Sequence, residues 1–339
     1  MKGQPVTIKD IARELGVSPS TVSRALKDHP DISPTTKLQV RELVEKLKYR
    51  PNAVALSLRS RRSYTVGLIV PEIVHHFFSS VISGIEDLAI DTGYNVCIFQ
   101  SNEMVDREIK ITEAIRSTQV DGVLVSISKT TEKSGHLREL IDEGIPLVFF
   151  DRACEDIEAD KVIVDDFNGA FNAVEHLIRT GCKRIAHFSA PKSLQIGYQR
   201  KRGYISALEK HGFDIDDSLI VKCDTFEEAQ AVTPGMMNLP DPPDAIFAVN
   251  DLTAAGVLKV LKEMGRKVPD EVSIVGFTDG LVSRVTDPPL TTVSQHGYEI
   301  GKRAMNMLLE RINALEEAAP PRTEIVKTEL IIRGTTRKG

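Results

Sequence analysis

Residues 7–26 read TIKDIARELGVSPSTVSRAL, and the spacing of the apolar side chains in this stretch decides how the chain begins to fold. Ile8, Ile11, Ala12 and Leu15 fall at i, i+3, i+4 and i+7, which puts one apolar stripe on a short helix. Thr7 is placed to cap that helix, Asp10 three residues on closes a capping box, and Val6 staples against Ile11. Gly16 supplies the left-handed stop. A second helix starts almost at once, with Ser18 as N-cap, Pro19 at the first helical position and Val17 stapled onto Val22. Val22 and Leu26 share a face, while Ser20 and Arg24 project roughly 160° from Val22 at 100° per residue. A short polar face on an apolar helical pair is what a helix-turn-helix needs, since its second helix enters the major groove with only a few side chains at base edges. Arg24 can fork onto guanine O6 and N7, and Ser18, Ser20 and Thr21 near the helix N-terminus suit phosphate contacts. An ordinary helical hairpin with a solvated face would show the same two helices, so the rest of the chain has to decide.

Ser33-Pro34 repeats the cap-plus-proline signal, and Val40, Leu43, Val44 and Leu47 make a third helix that closes a three-helix headpiece. Tyr49-Arg50-Pro51 ends it. Residues 52–58, NAVALSL, read as a further helical segment of only about two turns, too short to stand alone in water and in need of a partner chain, DNA or both. Arg59-Ser60-Arg61-Arg62-Ser63 follows as a basic linker. Residues 1–62 carry 13 Lys/Arg against 6 Asp/Glu, and the other 277 carry 30 against 42. A basic segment on an acidic body points to a polyanion partner for that segment alone.

From Thr65 the pattern changes. Short apolar runs at 65–70, 94–99, 121–127, 146–151, 161–164, 184–189, 219–223, 245–249 and 272–277 alternate with helical stretches such as 78–92, 103–118 and 168–180. Continuous apolar runs separated by helices predict parallel strands buried on both faces. So many units predict two doubly wound lobes, with the break near Asp160 to Asp166. Ligands of such sheets bind beyond the carboxyl ends of the strands. There stand Phe77 and Phe78, Ser126 and Ser128, Asp151 and Arg152, Ser189, Asn250 and Asp251, and Thr278 and Asp279. An aromatic pair among hydrogen-bonding groups suits a sugar or another small polar metabolite.

The same stretch contains no G-x-G-x-x-G, Walker loop, H-E-x-x-H or G-x-S-x-G, so no catalytic residue, cofactor or metal ligand is assigned. His187 and His296 read as structural histidines, while His75-His76, just after the first strand, could line the cleft without the companions a metal needs. Cys97, Cys154, Cys182 and Cys223 lie far apart beside apolar runs and read as buried, reduced thiols. MKGQPVTIKD has no apolar signal region and no later stretch offers about 18 uncharged apolar residues, so a cytoplasmic protein without a membrane partner is expected.

VTIKDIARELGVSPSTVSRAL at 6–26, YRPNAVALSL at 49–58 and TVGLIVP at 65–71, in that order and spacing, resemble the LacI/GalR (lactose-repressor) family of bacterial transcription regulators. VDGVLVSIS, IPLVFFDR, DAIFAVND, VPDEVSIVGF and PPLTTVSQ look like body motifs of the same family, so the resemblance covers essentially the whole chain. It implies an α/β protein with a helix-turn-helix headpiece at 1–50, a hinge helix and linker at 51–63, and a two-lobed, periplasmic-binding-protein-like (type I) body of doubly wound parallel sheets at 64–339. Lobe 1 would hold about 64–162 and 291–324, and lobe 2 about 163–290 and 325–339, the chain passing between them three times. The implied activity is that of a homodimeric regulator, most often a repressor, that binds a near-palindromic operator and changes affinity when a small-molecule effector enters the cleft.

On the family pattern Ser20 and Arg24 fall at base-reading positions, Pro19 stands where many members have a larger contact residue, and Leu58 corresponds to a minor-groove wedge. Thr7, Ser18, Thr21 and Asn52 complete the expected DNA contacts. Phe77, Phe78, Asp151, Arg200, Asn250 and Gln295 fall at positions that commonly line the effector pocket, and Thr278 joins them as a departure. Many members carry Asp directly after the G-[YF] of the late strand, and a hydroxyl cannot replace a carboxylate's paired acceptors. The other departure is His75-His76, where Asn-Pro is common before the aromatic pair. No apolar heptad follows the last strand, so the tetramerising tail of the lactose repressor itself is missing and a dimer is expected. A transport-type solute binder would need only the lobes, and an enzyme acting in the cleft would need a nucleophile or metal constellation.

Overall fold

The computed structural model describes residues 6–49, 62–191, 194–314 and 319–338, and the chain divides into two units, Met1–Ser63 and Tyr64–Gly339. In the first, α1 (Ile8–Leu15), α2 (Pro19–Leu26) and α3 (Pro34–Lys46) follow one another. The stripes read from the sequence are the ones that meet, since Ile11, Ala12, Val22, Ala25, Val40 and Leu43 form the buried core. The Asp10 carboxylate accepts from the Thr7 N–H at 2.9 Å and from its hydroxyl at 2.6 Å, which ties down the start of α1. Ser18 Oγ accepts from the Thr21 N–H at 3.1 Å, and Ser33 Oγ from that of Thr36 at 3.2 Å. Gly16 takes the left-handed conformation, φ 63°, that lets α1 end and α2 begin within three residues. The expected hinge segment, with Asn52 and Leu58, lies outside the described residues.

The second unit contains two six-stranded sheets. The first is built from β1 (Thr65–Val70), β2 (Asn95–Gln100), β3 (Gly122–Val125), β4 (Leu147–Phe150), β5 (Asp160–Val164) and β11 (Thr323–Val326). Its order is β11-β5-β4-β3-β1-β2 and every pairing is parallel. The second takes β6 (Ile185–Ser189), β7 (Ile220–Lys222), β8 (Ala245–Ala248), β9 (Ser273–Thr278), β10 (Thr291–Ser294) and β12 (Glu329–Ile331). Its order is β12-β10-β9-β8-β6-β7, parallel except for β12 against β10. Strand order reverses between β1 and β3 in one sheet and between β6 and β8 in the other, so each has its crevice at the carboxyl ends of those strands.

Helices α4 (His76–Thr92), α5 (Val105–Thr118), α6 (Gly135–Asp142) and α12 (Gly297–Asn313) cover the first sheet. Along β1 the faces alternate: Val66, Leu68 and Val70 pack with α4 and α12, while Ile69 packs with Ile115 of α5 and Leu137 of α6. A strand buried on both faces must be apolar at nearly every position, which is why TVGLIV read so clearly. Helices α7 (Asp166–Arg179), α8 (Gln195–Lys210), α9 (Phe226–Met237) and α10 (Asp251–Glu263) sandwich the second sheet in the same way, and α11 (Leu281–Val285) follows β9. Helices α4 and α12 approach backbone to backbone: a Cβ on Gly84 would lie 2.1 Å from the Tyr298 carbonyl oxygen, and one on Gly301 2.1 Å from that of Val81.

The chain passes between the sheets at 164–166, 294–297 and 326–329. The expected return to lobe 1 at Thr291 comes too early. Residues 291–294 form β10 in the second sheet, in parallel register with Val275 to Thr278 and antiparallel to β12; these four buried residues satisfy their backbone groups there. A second correction concerns β2, the edge of its sheet. It was read as a buried strand and is largely open, with Cys97 exposed while Cys154, Cys182 and Cys223 are buried, because nothing among the described residues pairs with its outer side.

Candidate functional site

On the first unit the face of α2 opposite buried Val22 is open, with Ser20 and Arg24 exposed and Thr21 half-buried. The Ser18 hydroxyl lies 2.7 Å from that of Ser20 and 2.8 Å from that of Thr21, so three hydroxyls form one network at the helix N-terminus beside exposed Pro19. Arg24 stands one turn on, its side chain 57% exposed and 4.0 Å from Asp31. So long and so exposed an ion pair holds the guanidinium only weakly. Thr7, at the start of α1, is exposed as well.

On the second unit the strand ends of both sheets converge. Phe77 and Phe78 open α4 and meet edge to face, ring centroids 5.2 Å apart. Asp151, directly after β4, is buried, has φ 58°, and its Oδ1 has no hydrogen-bond partner. Burial pushes its carboxyl up to about 6, against the field of Arg152 and with that of Asp166. Arg152 lies 3.7 Å from Asp151, donates to Glu103 at 2.8 Å, and sits 5.7 Å over the Phe78 ring. From the second sheet, Arg200 Nε donates to Asp166 at 2.7 Å and Nη1 to the Val249 carbonyl at 2.6 Å, with the guanidinium 3.6 Å over the Phe277 ring. Asn250 caps α10 through the Thr253 N–H at 2.8 Å and donates to the Asp224 carbonyl at 2.8 Å. Thr278 ends β9 and Gln295, buried, follows β10.

Backbone strain gathers at these ends. Asn102, Glu103, Asp151, Thr278, Asp279 and His296 all have positive φ without being glycine, and Thr278, β-branched, sits at 135°. Such residues persist only where surrounding contacts over-determine them, and they cluster at binding and switch sites. A cavity of about 290 Å³ holds Phe77 and Thr278 from the expected set, together with His76, Ser80, Asp279 and His296. Phe78, Asp151, Arg200, Asn250 and Gln295 do not line it; Arg200 reaches the Val249 carbonyl next to Asn250, and its charge acts on Asp151.

The sequence pattern of bacterial regulatory proteins of the lacI family matches residues 7–52, and that of a periplasmic binding protein-like domain matches residues 174–336. The HTH-type transcriptional repressor CytR of Escherichia coli K12 is 34% identical over 337 residues, covering 98% of this chain and 96% of that one. This chain belongs to the LacI family. Catabolite control protein A of Priestia megaterium is 36% identical over 310 residues, 91% of this chain and 93% of the relative. In fold the LacI-family chain agrees with the lac repressor dimer bound to operator and the anti-inducer ONPF, at TM-score 0.87 and 24% identity over 99% and 100% of the two chains.

Within this LacI-family body sequence reasoning missed three groups that matter to the cleft. Asp166, the partner of Arg200, is buried and raised above the ordinary carboxylate range by that burial. Lys129 and Asp224 bridge the lobes at 2.6 Å. Each follows a strand end, β3, β5 or β7, so the rule that found Asp151 and Asn250 applied to them as well; it was not extended past the serines after β3 or to the short β7. His187 sits, as expected, in the core, stacked on Tyr204 and Phe247, with burial pushing its imidazole down to about 4. His75 contacts Glu72 at 2.6 Å, and His76 and His296 line the cavity. Among the described residues no helix is long and apolar enough to cross a membrane.

Proposed function

We propose that this LacI-family protein is a transcription regulator, acting as a repressor, that binds a near-palindromic operator as a homodimer and responds to a small effector taken up between the lobes of residues 64–339. The observation that carries the reading is the exposed Ser20–Arg24 face of α2, held by a capped and packed helical pair, in a chain similar from end to end to a named repressor. Residues 1–50 are the reading head. Thr7, Ser18, Pro19, Ser20, Thr21 and Asn52 contact DNA, Arg24 reads a base, and Leu58 of the 51–63 hinge wedges into the minor groove. Phe77, Phe78, Asp151, Arg200, Asn250, Thr278 and Gln295 serve the effector, a sugar or related polar metabolite. The open edge of β2, with Ile98 and the nearby Ile90 of α4 exposed, supplies apolar surface for the second copy. We assign the protein no catalytic step and a cytoplasmic site of action.

Selection of bound sequences from a random duplex library by the full chain tests this reading, and a two-fold-related consensus is the expected product. Arg24→Ala should then relax preference at one base per half-site by about 1 to 3 kcal/mol. Selection of no consensus, or preference at every position unchanged in Arg24→Ala, removes the assignment.

A further inference from the structure

The lobes meet through an ion pair at the mouth of the cleft. Lys129, four residues beyond β3 of the first sheet, lies 2.6 Å from the Asp224 carboxylate, two residues beyond β7 of the second. Both partners are built in. The loop carrying Lys129 is anchored by Glu108 of α5, a fully buried carboxylate that accepts from the Ser128 N–H and hydroxyl at 2.8 Å, from Thr131 at 2.9 Å and contacts His136 at 2.9 Å. The Lys129 N–H in turn donates to Glu103 at 2.8 Å, and Glu103 holds Arg152. On the other side the Asp224 side chain is only 5% exposed; burial alone would raise its carboxyl, but Lys129 and Lys222 hold it below the usual range. Its backbone carbonyl receives Asn250. One polar chain thus runs from Asn250 through Asp224, Lys129 and Glu103 to Arg152, joining the pocket walls proposed for the two lobes.

We propose that Lys129 and Asp224 form a latch that holds the cleft closed without ligand, so that entry and exit of the effector require its release. A pair with one partner so buried is screened far less by salt than a surface bridge; Lys222, 3.0 Å from the same carboxylate, stands on the second lobe and holds Asp224 without tying it to the first. Lobe closure is then an equilibrium that this pair biases, and any ligand preferring one lobe arrangement works against or with it. The consequence for regulation rests on the cleft being the effector site; the latch itself does not.

The test is hydrogen exchange on the full chain with neither operator nor effector, followed in residues 76–80 of the first lobe and 278–279 of the second, which line the cavity at the strand ends away from both substituted residues. Lys129→Met and Asp224→Asn should each speed exchange several-fold in both segments, and the double variant should be no faster than the faster of the two. Faster exchange confined to the neighbours of the substituted residue, or effects that multiply in the double variant, overturns the latch. If Asp224→Asn unfolds, Lys129→Met alone decides. Because no effector is present, failure here leaves the effector reading standing, and an effector that binds at the cleft of a protein without a latch is recognised by an unchanged exchange pattern in the variants with saturable binding retained.

Discussion

Asp151 concentrates the physical tension of the cleft in one side chain. It is buried with one oxygen unpartnered, and its carboxyl is pushed from 3.8 up to about 6; Asp251, also buried, is likewise raised to about 6. Between those values the folded protein holds protons on these two carboxyls that the unfolded chain has released, so their contribution to stability grows as pH falls from neutral towards 4 and is lost as pH rises through 6. His187, whose imidazole burial pushes down to about 4, works the opposite way over the same window, so the melting temperature of the full chain is read against that of an Asp151 variant. Asp151→Asn, an amide that tolerates left-handed backbone, should raise it more near about pH 7.5 than near about pH 5, by at most on the order of 3 kcal/mol. An effect of Asp151→Asn that is the same at both pH values would show that the carboxyl is hydrated. The position of Asp151 was legible because a residue directly after a parallel strand can only stand at the carboxyl end. What Asp151 lacks was not legible, since an absent hydrogen-bond partner is a property of every neighbouring element at once. Arg200 shows the same division: the family resemblance points to it as an effector contact, but its commitment to Asp166 and the Val249 carbonyl depends on a helix start 34 residues away.

Elements were read best where burial is symmetrical. Strands covered on both faces, such as β1, β3, β4 and β8, give unbroken apolar runs, whereas β2 has the same composition and an open edge, so a sequence that looks equally buried folds into a strand half exposed to its surroundings. Strand β10 was assigned to the wrong sheet because LTTVS fits either, and only the register of Thr291 with Val275 decides. The close approach of α4 and α12 was not seen either, as glycines at 84 and 301 have no signature apart from the partner helix. Gly84→Ala should push these helices apart, since its Cβ would stand 2.1 Å from a backbone oxygen that cannot turn aside. The expected loss is about 1 to 3 kcal/mol or more by urea denaturation. Gly135→Ala, with open space around its Cβ, should stay within about 0.5 kcal/mol. Equal effects of the two would mean that helix packing at Gly84 is looser than the contact indicates.

Across the whole molecule the two units divide the charge, 13 basic against 6 acidic residues up to position 62 and 30 against 42 beyond it. That asymmetry, plain in the sequence, separates the ligands by their response to salt. Binding of non-operator duplex should weaken steeply with ionic strength, with a log–log slope near 0.9 per phosphate neutralised. The stabilisation of the body by an uncharged effector should hardly move. Equal salt dependence of both would place the effector on the basic unit. The three crossings between the sheets have a further consequence, for inheritance. The first sheet is completed by β11 and covered by α12, which the chain builds only after it has finished β6 to β10, and the second is completed by β12, built after β11. No single recombination point therefore separates one finished lobe from the other: a crossover anywhere within 165–322 gives a hybrid in which strands of one ancestor must pair with strands of another. Exchange of effector specificity among relatives by splicing is confined to breakpoints near residue 63, where body and reading head part, and change within the body has to proceed by substitution.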